Sequence, residues 1–308
     1  MSRRGWMLFA GMCLIWGIPY LMIKVAVEGG ISVPVLVFTR VAVGVAVLLP
    51  LALRSGRLRG LVRYRWPLLA FAVIEIIIPW ALLADAEQSI TSSMTGLLIA
   101  ASPIITVFVA RAGGDRERLG AARWAGLAVG LGGVAWLAAP EARGGDPWAI
   151  AEVLGVAICY AIAPQIAARR LKDVPSLPMT AVCLGFAALV YLVPAILTWP
   201  DTMPSAEVLA ALGGLALICT ALAFLVFFAL IREVGASRAL VFTYVNPAVA
   251  VAAGVLFLDE PLTATIITSF VLILAGSVLA TWRRAGGVPD TAAAATPLPE
   301  VTGGSSRP

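Results

Sequence analysis

The stretch "FAVIEIIIPW", residues 71–80, holds one carboxylate, Glu75, inside a run that lipid would otherwise accept whole. Whether that run crosses a membrane decides the fold. Of the 308 residues 61% are hydrophobic and only 13% charged, and the mean hydropathy is +0.97, whereas a soluble domain is about half apolar and a quarter charged. This composition defines an integral membrane protein.

A helix needs about 20 mostly apolar residues to cross the hydrocarbon core. Ten such runs lie between the charges: roughly Gly5 to Val25, Val33 to Leu53, Trp66 to Ala84, Ser89 to Ala110, Trp124 to Pro140, Pro147 to Ala168, Pro175 to Trp199, Val208 to Ile231, Ala239 to Leu258 and Leu262 to Trp282. Transmembrane strands are half as long and alternate apolar with polar residues, which these runs do not. The pattern therefore predicts an all-α membrane protein of ten transmembrane helices. The first run follows Arg3 and Arg4, but a second span comes close behind, so it reads as a retained helix and not a signal peptide.

Lys and Arg stay on the cytoplasmic side of short loops. Of the 22 basic residues, all but Lys24, Arg40 and Arg143 fall on one side of the ten-span topology, including Arg54, Arg57, Arg59, Arg63 and Arg65, then Arg111, Arg116, Arg118 and Arg123. Both termini are thus expected in the cytoplasm of a bacterial cell, with the chain in its inner membrane. The net charge of +5 is explained by this topology signal, so no nucleic-acid partner is expected. Residues 285–308, rich in Ala, Pro, Gly and Thr, have nothing to build a core from and are expected to form a disordered cytoplasmic tail.

The sequence has no histidine, and Cys13, Cys159, Cys183 and Cys219 lie in four different spans. Neither a metal site nor a Ser/His/Asp triad can be assembled, and no cofactor is expected. "GLAVGLGG", with Gly126, Gly130 and Gly133, follows no strand and lacks the Lys-Ser/Thr ending of a phosphate loop. Small residues in a span allow close helix packing.

An offset of 144 residues brings Ser93 onto Ser237, Pro103 onto Pro247, Val107 onto Val251, Gly132 onto Gly276 and Trp16 onto Tyr160. The unit holds five spans, an odd number, so the second copy enters the membrane from the opposite side. Inverted repeats of this kind are a recurrent design of secondary transporters, whose halves meet at a site near the midplane. The expected units are 5–140 and 147–283.

Three stretches, "LIWGIPYLMIK", "PWALLADAEQSITSSMTGLLIAASPI" and "YVNPAVAVAAGVLFLDEPLT", resemble the EamA-type branch of the drug/metabolite transporter superfamily. The resemblance runs over about residues 8 to 283. It implies two five-helix repeats around a central substrate cavity, typically exporting small metabolites such as amino acids or drug-like compounds. A small-molecule substrate and the lipid bilayer are the implied partners; proton coupling and a homodimer stay open.

Glu75 lies near the middle of its span, where a charge costs at least about 2.5 kcal/mol, and should face a cavity or a partner. It either binds a substrate amine or a coupling proton, or glues helices together. Its repeat mate, Cys219, carries no charge. Arg40 lies at a similar depth and is a candidate partner for Glu75; alternatively it snorkels outward or binds free carbonyls. Trp16, Tyr160 and Trp80 are central aromatic candidates for the cavity wall, with packing as the competing reading. Asn246 stands beside Pro247, and Ser102 beside Pro103; the two prolines are expected to kink their helices as hinges or cavity walls. Lys24 with Glu28 reads as a solvated ion pair, and Glu260 before Pro261 as the start of the last helix. An intramembrane enzyme using Glu75 as acid/base, or a non-transporting membrane partner protein, are the alternatives to a transporter.

Overall fold

The computed structural model describes residues 1–56, 58–113 and 119–281. The tail at 285–308, and Arg57, Arg116, Arg118, Arg283 and Arg284 among the topology signals, lie outside the described residues. Among the described residues, nine helices are long and apolar enough to cross a membrane: α1 (Arg3–Glu28), α2 (Val33–Arg54), α3 (Gly60–Ala86), α4 (Ser92–Ala112), α5 (Ala121–Pro140), α6 (Pro147–Arg170), α7 (Ser176–Leu197), α8 (Ala206–Val234) and α10 (Ala264–Thr281). The tenth, α9 (Asn246–Phe257), is shorter and is preceded by a 3₁₀ turn over Leu240–Tyr244. Helices satisfy every backbone group inside lipid, so no strand is needed, and none occurs among the described residues.

The helix pairing is itself two-fold symmetric. α5 packs along α10, α2 along α7, and α4 against α9, each helix meeting its own repeat mate. α3 packs on α6, and the mirror of that pair, α8 on α1, is also formed. Ten helices thus build one bundle from two inverted five-helix halves.

The α5–α10 seam explains the glycines. Gly126, Gly130 and Gly133 all face α10, and Gly130 lies backbone to backbone against Gly276. Without side chains the two axes approach closely enough for dispersion and Cα–H contacts to replace a hydrophobic drive that lipid does not supply.

Four spans are interrupted, and the interruptions of α3 and α8 fall at repeat-related positions. α1 stops at Ile15 and restarts at Pro19. α4 breaks at Ala100 and Ala101, just ahead of Ser102 and Pro103. Both Pro103 and Pro247 therefore sit in the first turn of a helical segment, where a missing N–H costs nothing, and the expected mid-helix kink becomes a break one to three residues upstream. At the α4 break the Ala100 carbonyl accepts the Ser277 hydroxyl of α10 at 3.0 Å. In α3 a π turn spans Val73–Ile77, and in α8 another spans Gly214–Leu222. Shifted by 144, the first falls inside the second.

Candidate functional site

π turns insert one residue into a helix and leave a carbonyl without its usual donor, which is why they gather at functional sites. Here they put Glu75 on one helix and Cys219 and Thr220 on the other, where the two halves meet. Thr220 uses the extra residue: its hydroxyl donates to the Leu215 carbonyl, five residues back, at 2.9 Å. Its oxygen is then fixed as the acceptor for Nε of Arg40, also at 2.9 Å.

Arg40 is 6% exposed and its guanidinium lies over the Trp80 ring, 3.6 Å from the centroid. A desolvated cation on an indole face is worth about 2 kcal/mol. Arg40 thus takes none of the expected courses: it makes no ion pair with Glu75, does not reach outward, and bonds to the Thr220 hydroxyl and not to a free carbonyl. Its terminal nitrogens make no hydrogen bond among the described residues. Cys219, Tyr160, Tyr20 and Glu87 are its electrostatic neighbours.

Glu75 is partly exposed at mid-span and stands near Cys159 and Tyr160 of α6 and Cys183 of α7. Tyr160 feels both Glu75 and Arg40 and lies beside Trp80, so it bridges the acidic and basic ends of one polar zone. Trp16 stands apart from that zone. Its ring packs on Phe224, Phe227 and Phe242 at 5.1 to 5.9 Å, and its indole N–H donates to the Cys219 carbonyl at 3.3 Å. Asn246 opens α9 with a buried side-chain oxygen that no donor reaches. Arg40, Trp80, Tyr160 and Glu75 are thus neighbours, whereas Trp16 packs into an aromatic cluster.

Two apolar grooves lie elsewhere. One of about 520 Å³ runs between α2 and α7 past Phe38, Val45 and Phe186; another of about 430 Å³ runs between α2 and α8 past Val35 and Leu212. Neither is lined by a charged residue, and strongly exposed side chains such as Leu189 and Leu217 border them.

Sequence reasoning missed a second polar cluster at the face poor in arginine. Glu260 does not start the last helix, which begins at Ala264. Its carboxylate instead caps α4, accepting the backbone N–H of Ser92 at 2.7 Å and of Ser93 at 3.0 Å, and the Ser93 hydroxyl. Lys24 is not a solvated partner of Glu28 alone: its side chain is 12% exposed, and the ammonium that meets Glu28 at 3.1 Å also donates to the Glu87 carbonyl at 2.8 Å. Partners 167 and 168 residues apart leave no local signal.

Because a helix N-terminus is a partial positive charge, the Glu260 carboxylate there is well placed. Glu260→Ala leaves two buried amide donors open, at about 1–3 kcal/mol each. The expected result is a protein that inserts but melts several degrees lower in detergent, with Glu260→Gln intermediate.

A many-span helical bundle with two inverted halves and charged groups at their seam is the build of a membrane transporter. The EamA-like transporter family model matches residues 3–139 and again 147–282, and the chain belongs to that family. It is similar to the uncharacterized inner membrane transporter YedA of Escherichia coli, 29% identical over 250 residues and covering 78% of each chain. It is also similar to the uncharacterized transporter YvbV of Bacillus subtilis, 25% identical over 280 residues, 87% of this chain and 88% of that one. A solved crystal structure shares the fold at a TM-score of 0.61 and 20% identity, over 91% of this chain and 98% of the other.

Proposed function

We propose that this protein is a secondary transporter of the bacterial inner membrane that exports small metabolites by alternating access, and that its cargo carries an anionic group read by Arg40. The observation that carries this reading is a buried guanidinium that enters no ion pair among the described residues and whose terminal nitrogens make no hydrogen bond. Taking a cation out of water costs several kcal/mol, and stacking on Trp80 returns only part of that. A carboxylate on the cargo returns the rest, and Arg presents its donors in the planar fork that carboxylates fit.

Glu75 supplies the opposite end, for an amine or hydroxyl on the cargo or for a coupling proton, with Tyr160 between. Repeats 5–140 and 147–283 rock about this seam, and the breaks at Pro103 and Pro247 serve as hinges. The arginine-rich face is cytoplasmic, with both termini there. The energy source is a gradient, since the chain has no phosphate loop.

The test compares cells expressing wild type and Glu75→Gln at matched membrane levels, with metabolites in cells and medium profiled by mass spectrometry. Wild type releases an unmodified metabolite bearing a carboxylate, and the variant releases it about tenfold or more slowly, which is about 1.4 kcal/mol of transition-state binding. Equal release by both makes Glu75 structural; no release by wild type defeats the export reading.

A further inference from the structure

Glu87 follows α3 directly and is 0% exposed, yet neither of its carboxyl oxygens has a hydrogen-bond partner. Neither nearby cation forms an ion pair with it. On α1, Lys24 gives its ammonium to the Glu28 carboxylate and to the Glu87 main-chain carbonyl. On α2, Arg40 is held by Thr220 and Trp80. Ahead of α10, Glu260 adds a second carboxylate, bonded to the amides of Ser92 and Ser93 and to the Ser93 hydroxyl. Tyr20 on α1 completes the charged and titratable groups that face Glu87.

We infer that Glu87 is a proton-binding site, and that the proton it holds keeps the arginine-poor face of the bundle shut. An ionised carboxylate buried without a donor is among the costliest arrangements in a protein, and neutralising it is the ordinary escape. Burial accordingly holds the Glu87 carboxyl well above the usual carboxylate range, the neighbouring Glu260 pushing in the same direction while Lys24 and Arg40 oppose it. A sodium ion would need oxygen ligands gathered around it, whereas the second carboxylate, Glu260, already accepts three hydrogen bonds from α4.

The proton balance is simple. When the ends of α1, α3 and α4 part, water reaches Glu87, its O–H bond breaks, and the proton leaves to the solvent on that face. A hydrated glutamate titrates near about 4.3, below the closed-state value. Closure is therefore fully favoured at low pH and loses ground as pH rises from the hydrated value toward the closed-state value. Between them the open-to-closed ratio grows about tenfold per pH unit.

This site goes beyond the cargo seam, and its test needs no cargo. In a chain with its four native cysteines replaced, a reporter cysteine at Ile90, 3% exposed between Glu87 and Ser92, is labelled in proteoliposomes by an impermeant maleimide. A second reporter at the exposed Asp201 corrects for the thiol's own ionisation. The Ile90 to Asp201 labelling ratio is expected to rise as pH climbs above the hydrated glutamate value, and Glu87→Gln to hold it low and flat. A flat ratio in the Glu87-bearing chain overturns the inference even where the variant fails to fold. So does a rise that survives Glu87→Gln, or closure by a sodium-for-choline exchange at fixed pH. A rising ratio in a protein that exports nothing keeps the proton site and defeats only the export reading.

Discussion

Gly276→Ala is expected to strip folded protein from the membrane, while Gly132→Ala leaves it at the wild-type level or slightly above. The two glycines are repeat mates under the 144-residue offset, so sequence alone treats them alike. Their surroundings differ. A methyl on Gly276 would overlap the Cα and nitrogen of Gly130 and stand 2.8 Å from the Gly126 carbonyl oxygen, all of them backbone atoms. No rotamer relieves that overlap, so α5 and α10 must separate along their length. Overpacking of this kind costs about 1–3 kcal/mol, and it acts on the longest seam joining the two halves. A methyl on Gly132 meets nothing within 4 Å, and alanine there gains about 0.5–1 kcal/mol of helix propensity. Detergent-solubilised size-exclusion profiles and melting curves of the two variants check the contrast. Equal behaviour would mean that the seam is not close-packed.

The class of fold is legible in the sequence because hydrophobicity is counted along the chain. Ten apolar runs, the arginine pattern and an odd-numbered repeat fix helices and inversion without any knowledge of faces. Depth is legible for the same reason: Glu75, Arg40 and Trp16 do lie near mid-span. What a one-dimensional count cannot supply is the rotation of each helix about its axis. Equal depth suggested an Arg40–Glu75 pair, but the face of α2 that carries Arg40 points at Trp80 and Thr220. Rotation likewise turns Trp16 into the phenylalanine cluster. The π turns were invisible because a one-residue insertion among Val, Ile, Leu and Ala changes no pattern that hydropathy reads. Long-range caps were invisible too: nothing in "LDEPLT" says that its glutamate serves α4.

Arg40→Met separates binding from architecture, and its expected effect on transport is the largest of any substitution here. If Arg40 holds the bundle together through Trp80 and Thr220, methionine should lower the melting temperature, and transport should fall only as far as folded protein does. If Arg40 is there for the cargo, the opposite split is expected. Removing a buried charge also removes its desolvation cost, so replacement by an apolar side chain of similar length is neutral or stabilising for the fold. Methionine is flexible enough to keep the contact with the Trp80 ring. The cargo's anion, by contrast, loses its only strong donor in a site from which water is largely excluded, at about 2–5 kcal/mol. That corresponds to roughly thirtyfold weaker binding or more. Arg40→Lys sharpens the comparison, because lysine keeps the charge but cannot stack flat on Trp80 and reach Thr220 at once. The expected order of export is wild type, then lysine, then methionine, with melting temperatures level or reversed. Export and melting temperature falling together across the three proteins would assign Arg40 to the scaffold and leave the anionic cargo without a receptor.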